Sequence, residues 1–113
     1  MAAEIQALAP TARTVYTLIR NSTGSIWNGS AFAAYSTAAF ATYVVTMTEQ
    51  GTASGFYVGT MPAGITTAGV YSVVAKVQTG GSPAETDTNC SEGMIEWTGT
   101  GVAAISDAAT SGQ

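Results

Sequence analysis

The residues in this chain that could do chemistry are few, and histidine is not among them. Without imidazole there is no Ser–His nucleophile, no neutral-pH proton shuttle and no common zinc ligand set. Cys90 is the single cysteine, so no internal disulfide forms. A reactive thiolate wants a cation or a histidine beside it. Asp87 and Glu92 stand near Cys90 instead, and it reads as a small apolar strand residue. Carboxylate pairs remain. Glu85 and Asp87 lie two apart in a polar loop, and Glu92 and Glu96 lie in or beside the last strand. A glycosidase needs two carboxylates about 5 to 10 Å apart across a cleft, and nothing around these residues builds one. Glu85-x-Asp87-x-Asn89 alternates like a calcium loop but opens on Glu and lacks the downstream bidentate acid. Gly51 and Gly55 are not followed by the Gly-Lys-Ser/Thr of a phosphate cradle. The sequence therefore predicts no catalytic residue, no metal and no cofactor, and these acids read as solvated surface charge.

Binding is the chemistry left. Trp27, Tyr35, Tyr57 and Trp97 supply flat aromatic surface for a sugar or a protein. Trp27 and Tyr35 are the candidates for surface recognition, against the commoner fate of a strand Trp in the core. A second candidate surface lies near the N-terminus. Ile5 and Leu8 sit three apart, followed by Pro10, outside the β pattern. Residues 1–12 are expected to be an extended docking arm, with Ile5, Leu8 and Pro10 at an interface between chains.

The elements that would position these residues are β-strands. Residues 14–20, 40–48, 56–60, 69–78 and 90–97 are rich in β-branched and aromatic side chains. Asn21-Ser22-Thr23-Gly24 and Asn28-Gly29 between them are turn signals. In residues 69–78 the Tyr71, Val73, Ala75, Val77 set is expected to face inward. Gly69-Val70-Tyr71 matches a strand start at which a Tyr plugs a corner between sheets. Val15, Leu18, Tyr43, Val45, Tyr71, Val73, Val77 and Ile95 are the expected core. No helical periodicity follows residue 12, so a parallel βαβ design has no helices to use. The expected fold is all-β: an Ig-like antiparallel sandwich of about seven short strands. Its domain is residues 13–99, with the N-terminal arm before it and a Gly/Ala/Ser-rich tail, 100–113, after it.

Composition narrows the partners. The 113 residues are one domain's worth. Only 9% of them are charged, against about 25% in ordinary domains. Such a surface is expected to be neutral or covered by neighbours. A net charge of −4 speaks against nucleic acid, which needs a basic stripe, and against anionic membranes. No stretch is apolar for long enough to span a bilayer. Residues 1–10 carry no secretion signal, which predicts synthesis in a cytoplasm.

The runs Tyr16-Thr17-Leu18-Ile19-Arg20-Asn21 and Ile26-Trp27-Asn28-Gly29-Ser30-Ala31-Phe32 resemble a phage-associated family of small uncharacterised Ig-like β proteins from tailed-phage virion gene clusters. So do Thr48-Glu49-Gln50-Gly51, Gly55-Phe56-Tyr57-Val58-Gly59, Pro62-Ala63-Gly64-Ile65 and Ala68-Gly69-Val70-Tyr71. The likeness ends with Gly80-Gly81-Ser82-Pro83-Ala84 and Gly93-Met94-Ile95-Glu96-Trp97, and covers about residues 14–99. It implies a structural virion component without catalytic residues. In some relatives a long helical segment follows; here the sequence ends at Gln113, which favours a compact surface protein over a fibre. The expectation is a non-enzymatic capsid decoration, or cement, protein located in the virion. Its partners would be the major capsid protein or tail proteins, with many copies per particle. A tail or head-fibre component is the near alternative, and a carbohydrate-binding adhesion module is the alternative of another class.

Overall fold

A computed structural model describes the backbone of residues 4–105 and the side chains of residues 4–102. Residues 1–3 of the expected arm and 106–113 of the expected tail lie outside the described residues. The strands are β1 Ile5–Leu8, β2 Val15–Arg20, β3 Ile26–Trp27, β4 Phe32–Ala33, β5 Val45–Thr46, β6 Thr48–Glu49, β7 Phe56–Gly59, β8 Gly69–Val77, β9 Thr88–Trp97 and β10 Val102–Ile105. A 3-10 helix, Thr37–Tyr43, precedes β5. The larger sheet runs β10-β9-β8-β2-β3-β4, with β5 also paired to β2; the smaller runs β1-β7-β6. All pairings are antiparallel. The molecule is an all-β, sandwich-like stack of antiparallel sheets.

Strand β2 sits at the centre. It pairs with β8 from Val15↔Val77 to Arg20↔Ser72. Successive side chains of a strand point to opposite faces, and both faces of β2 are covered. Val15 and Ile19 join a core with Ile5, Tyr57, Tyr71 and Ile95. Tyr16 and Leu18 join a second core with Ile26, Phe40 and Tyr43. The expected core residues are buried, apart from half-buried Val45, but they divide between two layers. On β8, Tyr71, Val73, Ala75 and Val77 face inward as the alternation requires. The Tyr71 hydroxyl donates to the Thr67 carbonyl at 2.6 Å, which plugs the sheet corner.

Two turns form where their Asn residues announced them. Asn21 Oδ1 accepts from the backbone N–H groups of Thr23 and Ser25. Asn28 Oδ1 accepts from those of Ser30 and Ala31. A short polar side chain thereby replaces ladder hydrogen bonds that a tight turn loses.

Three expectations change. Residues 40–48 are not one strand. Phe40 and Tyr43, three apart, would point to opposite faces of a strand. On a 3-10 helix they share a side, and both enter the second core. The chain then switches sheets at Met47. β5 pairs β2 through Tyr16↔Thr46 and Thr17↔Val45, whereas β6 pairs β7 through Thr48↔Val58 and Glu49↔Tyr57. Met47 N–H donates to the Val15 carbonyl at 2.9 Å. Its side chain packs on Gly59, where an added Cβ would lie 3.2 Å from Met47 Cγ.

The N-terminal segment is not a separate arm. β1 pairs with β7 from Ile5↔Gly59 to Leu8↔Phe56, and Ile5 and Ala7 are buried in the domain's own core. The apolar pair that matters is Ile5 and Ala7, two apart, which is strand spacing. Nor is the C-terminal region all tail. Thr98 Oγ1 accepts from Gly101 N–H and closes a hairpin that returns as β10 beside β9. The folded unit therefore runs from β1 to β10 rather than over 13–99.

Ile5→Ala should cost about 2 to 5 kcal/mol, the range for emptying a buried aliphatic site, and deleting residues 1–12 should cost at least as much. Urea denaturation of the truncated chain checks this; an unchanged midpoint would contradict β1 as a core strand.

Candidate interaction surface

The structure separates the residues that the sequence singled out. Ile5 is 2% exposed and is unavailable to another chain. Leu8, on the outward side of β1, is 65% exposed. Pro10 is exposed, and its carbonyl accepts from the Tyr57 hydroxyl at 2.8 Å. Trp27 is 5% exposed, edge-on to Phe32 at 5.2 Å. Gly64 closes over it so tightly that a Cβ there would lie 3.0 Å from Trp27 Cη2. Trp27 is thus a core residue and not a recognition platform, because its indole fills the space between the sheets. Tyr35 stays at the surface.

Tyr35 lies just before the 3-10 helix, and its ring stacks on Tyr43 at 5.5 Å and 30°. Tyr43 is itself held, since its hydroxyl accepts from Ser36 N–H at 2.8 Å. The Arg20 guanidinium carbon lies 5.5 Å from the Tyr35 ring centre, within cation–π range. The Tyr35 hydroxyl donates to Glu85 at 2.8 Å. Its pKa is raised by partial desolvation and then by the Glu85 carboxylate. Tyr35 thus forms one rigid ridge with Arg20 and Glu85, which come from β2 and the β8–β9 loop.

The acids of that loop were expected to be solvated surface charge, yet Asp87 is buried and anchors it. Asp87 is 4% exposed. It accepts from the Tyr16 hydroxyl at 2.6 Å, from Thr79 N–H and Oγ1–H at 3.1 and 2.9 Å, and from Ala84 N–H at 2.9 Å. Burial by itself would raise this carboxyl's pKa, but the hydrogen bonds prevail and hold it down at about 2. Tyr16 responds oppositely: burial and then the Asp87 carboxylate push its pKa well above the ordinary phenol value. Lys76 Nζ donates to the carbonyls of Glu85 and Asp87 at 3.2 and 3.1 Å. In sequence, Asp87 looks like any solvated acid among Gly, Ser and Pro; the flanking Thr79 and Ala84 give no local sign of convergence.

Between the ridge and β8 runs a groove of about 320 Å³ over Leu18, Phe40 and Val74, edged by Arg20, Lys76 and Glu85. Beyond it the outer face of the large sheet is open. Val70 and Met94 are 41% and 44% exposed. The register places Arg20 beside Ser72 and Ser72 beside Met94. Val74 pairs with Glu92, and Val70 with Glu96. A cation, an aromatic ring and an apolar strip bordered by two glutamates thus share one face. Such a surface can bind a protein partner. Among the described residues no group of three His, Cys, Asp or Glu is placed to hold a metal ion.

No protein-family model, curated protein or solved structure matches the chain. The fold itself defines an antiparallel all-β sandwich with a rigid aromatic ridge beside an open sheet face.

Asp87→Ala should destabilise by about 2 to 4 kcal/mol, because it strands buried donors. In the wild type the Asp87 contribution is complete above its unfolded pKa near 3.8 and is lost as pH falls toward about 2. Asp87→Asn should therefore flatten the acid limb of the stability–pH curve, measured by urea titration at stepped pH. An acid limb identical to wild type would remove Asp87 from this role.

Proposed function

We propose that this protein is a non-enzymatic structural component of a tailed-phage virion, in the role of a capsid decoration protein that binds and braces the particle surface. The observation that carries the reading is the open face of the large sheet. Val70 and Met94 stand exposed on it, side by side with glutamates, in a chain of which only 9% is charged. Exposed apolar surface with a polar border marks protein–protein contact. The ridge beside it is pinned by the buried Asp87 network, so the partner meets a preorganised shape and little ordering entropy is lost on docking. The sequence resemblance to virion-cluster proteins points the same way and leaves a tail or head-fibre position as the neighbouring assignment. The adhesion alternative loses its main support with Trp27 in the core and rests on Tyr35 alone.

Mass spectrometry of purified particles from the encoding phage should find the chain in high copy. Val70→Glu with Met94→Glu should abolish incorporation while leaving the melting temperature within a few degrees of wild type, since both positions face solvent. Absence of the chain from particles, or normal incorporation of the double variant, would refute the assignment. A glycan array with a Tyr35→Ala control should show no Tyr35-dependent binding; such binding would favour adhesion.

A further inference from the structure

We propose that the open strip of the large sheet takes one amphipathic α-helix of a partner protein. The helix lies along β8, with acidic residues on its Arg20 side and basic residues on its β9 side. This deepens the reading of that face as a protein-docking surface and rests on it. The strip is narrow. The outer side chains of β2, Tyr16 and Leu18, are buried beneath the 3-10 helix, so the bare face begins at β8. There the 3-10 helix and the Tyr35 ridge form a wall, and the groove of about 320 Å³ runs along its foot, past Arg20, Val74 and Lys76. Away from the wall, Val70 pairs with Glu96, Ser72 with Met94 and Val74 with Glu92. Two neighbouring strands span about 10 Å, the width of one α-helix. A broad sheet, that of a second copy included, would strike the wall.

The backbone decides the kind of occupant. β8 is hydrogen-bonded on both sides, to β2 and to β9, so it offers no edge to an added strand. An extended segment laid over Val70 and Val74 would press its own N–H and C=O groups against apolar side chains. A helix satisfies those groups internally and presents an apolar stripe. From Val70 to Lys76 the strip is about 20 Å long, which matches a helix of about 14 residues.

Charge sets the two borders. On the wall side, the Arg20 guanidinium is held by the Tyr35 ring at 5.5 Å, and among the described residues it donates no hydrogen bond. Lys76 Nζ is engaged by the carbonyls of Glu85 and Asp87, and the Glu85 carboxylate by the hydroxyls of Tyr35 and Thr37. Arg20 is therefore the cation with donors left for a partner's carboxylate. On the β9 side, Glu92 and Glu96 are exposed and call for basic residues. Tyr and Arg are residue types that dominate binding energy at interfaces, and here both are held in place before the partner arrives.

NMR titration of the full chain with a designed peptide tests the proposal. The probe is a stapled helix of about 14 residues with a leucine stripe, Glu along one border and Lys along the other. Binding should be weak, with a Kd on the order of 100 μM, since the footprint is well below the roughly 800 Å² per partner of a stable complex. Amide shifts should map to residues 70–76, 92–96 and the Tyr35 ridge. Arg20→Glu should bind this peptide about tenfold more weakly and should bind a peptide with Lys on both borders more tightly than the wild type does. Glu92→Lys with Glu96→Lys should show the matching exchange toward a peptide with Glu on both borders. Both glutamates are exposed, so that variant keeps the test valid if Arg20→Glu fails to fold. No shifts at millimolar peptide, shifts that map elsewhere, or charge reversals without the exchange of preference would overturn the proposal. So would a wild type that dimerises through this strip and becomes monomeric with Val70→Glu, because a second copy would then be the occupant. A chain found in particles that binds no helix would sink the helix alone. Helix binding by a chain absent from particles would sink only the virion assignment.

Discussion

The ladder between Val15–Arg20 and Ser72–Val77 carries β2 side chains that are buried on both faces, and the remaining elements are arranged to bury them. A half-buried strand needs one covering layer; β2 needs two. The sheet of β1, β7 and β6 covers Val15 and Ile19 from one side. The 3-10 helix covers Tyr16 and Leu18 from the other. Thr17 shows how strict the demand is: it is fully buried, and its hydroxyl donates to the Val74 carbonyl at 3.0 Å, as a desolvated polar group requires. Met47 lets one short stretch serve both sheets, because its backbone bonds β2 while its side chain turns to the small sheet.

The outer layer has no regular sheet to hold it, so a polar device does the work. The Asp87 carboxylate collects a phenol, a hydroxyl and two backbone N–H groups from three parts of the chain. Hydrogen bonds to a charged acceptor are the stronger kind, and burial makes their loss costly. Tyr16 carries the constraint from the β8–β9 loop into the second core, where its ring meets Phe40 edge-on at 6.1 Å. Glu85 and Lys76 are placed by the same turn. The surface ridge of Tyr35, Arg20 and Glu85 is thus rigid because of an acid beneath it.

Much of this was legible in the residues. The alternation in β8, the turn-forming Asn21 and Asn28, the Tyr71 corner and the all-β class all rest on neighbours one to four positions apart. Tyr35 was legible as an exposed aromatic. Its partners were not, since Arg20 closes one strand and Glu85 belongs to a loop far along the chain. Trp27 was legible as an aromatic strand residue, but only Gly64 above it decides that it is core.

What the sequence by itself determined is local: where the chain extends, where it turns and which side of a strand is apolar. Period-two patterning and turn chemistry act within a few residues and need no partner. Only the tertiary structure decided which second layer covers β2, that residues 5–8 join the domain, that residues 40–48 coil and then switch sheets, and that Asp87 is buried. These outcomes depend on contacts such as Tyr16 to Asp87, 71 residues apart. There the free energy of covering a face outweighs local propensity, and no short window of sequence contains both sides of the balance.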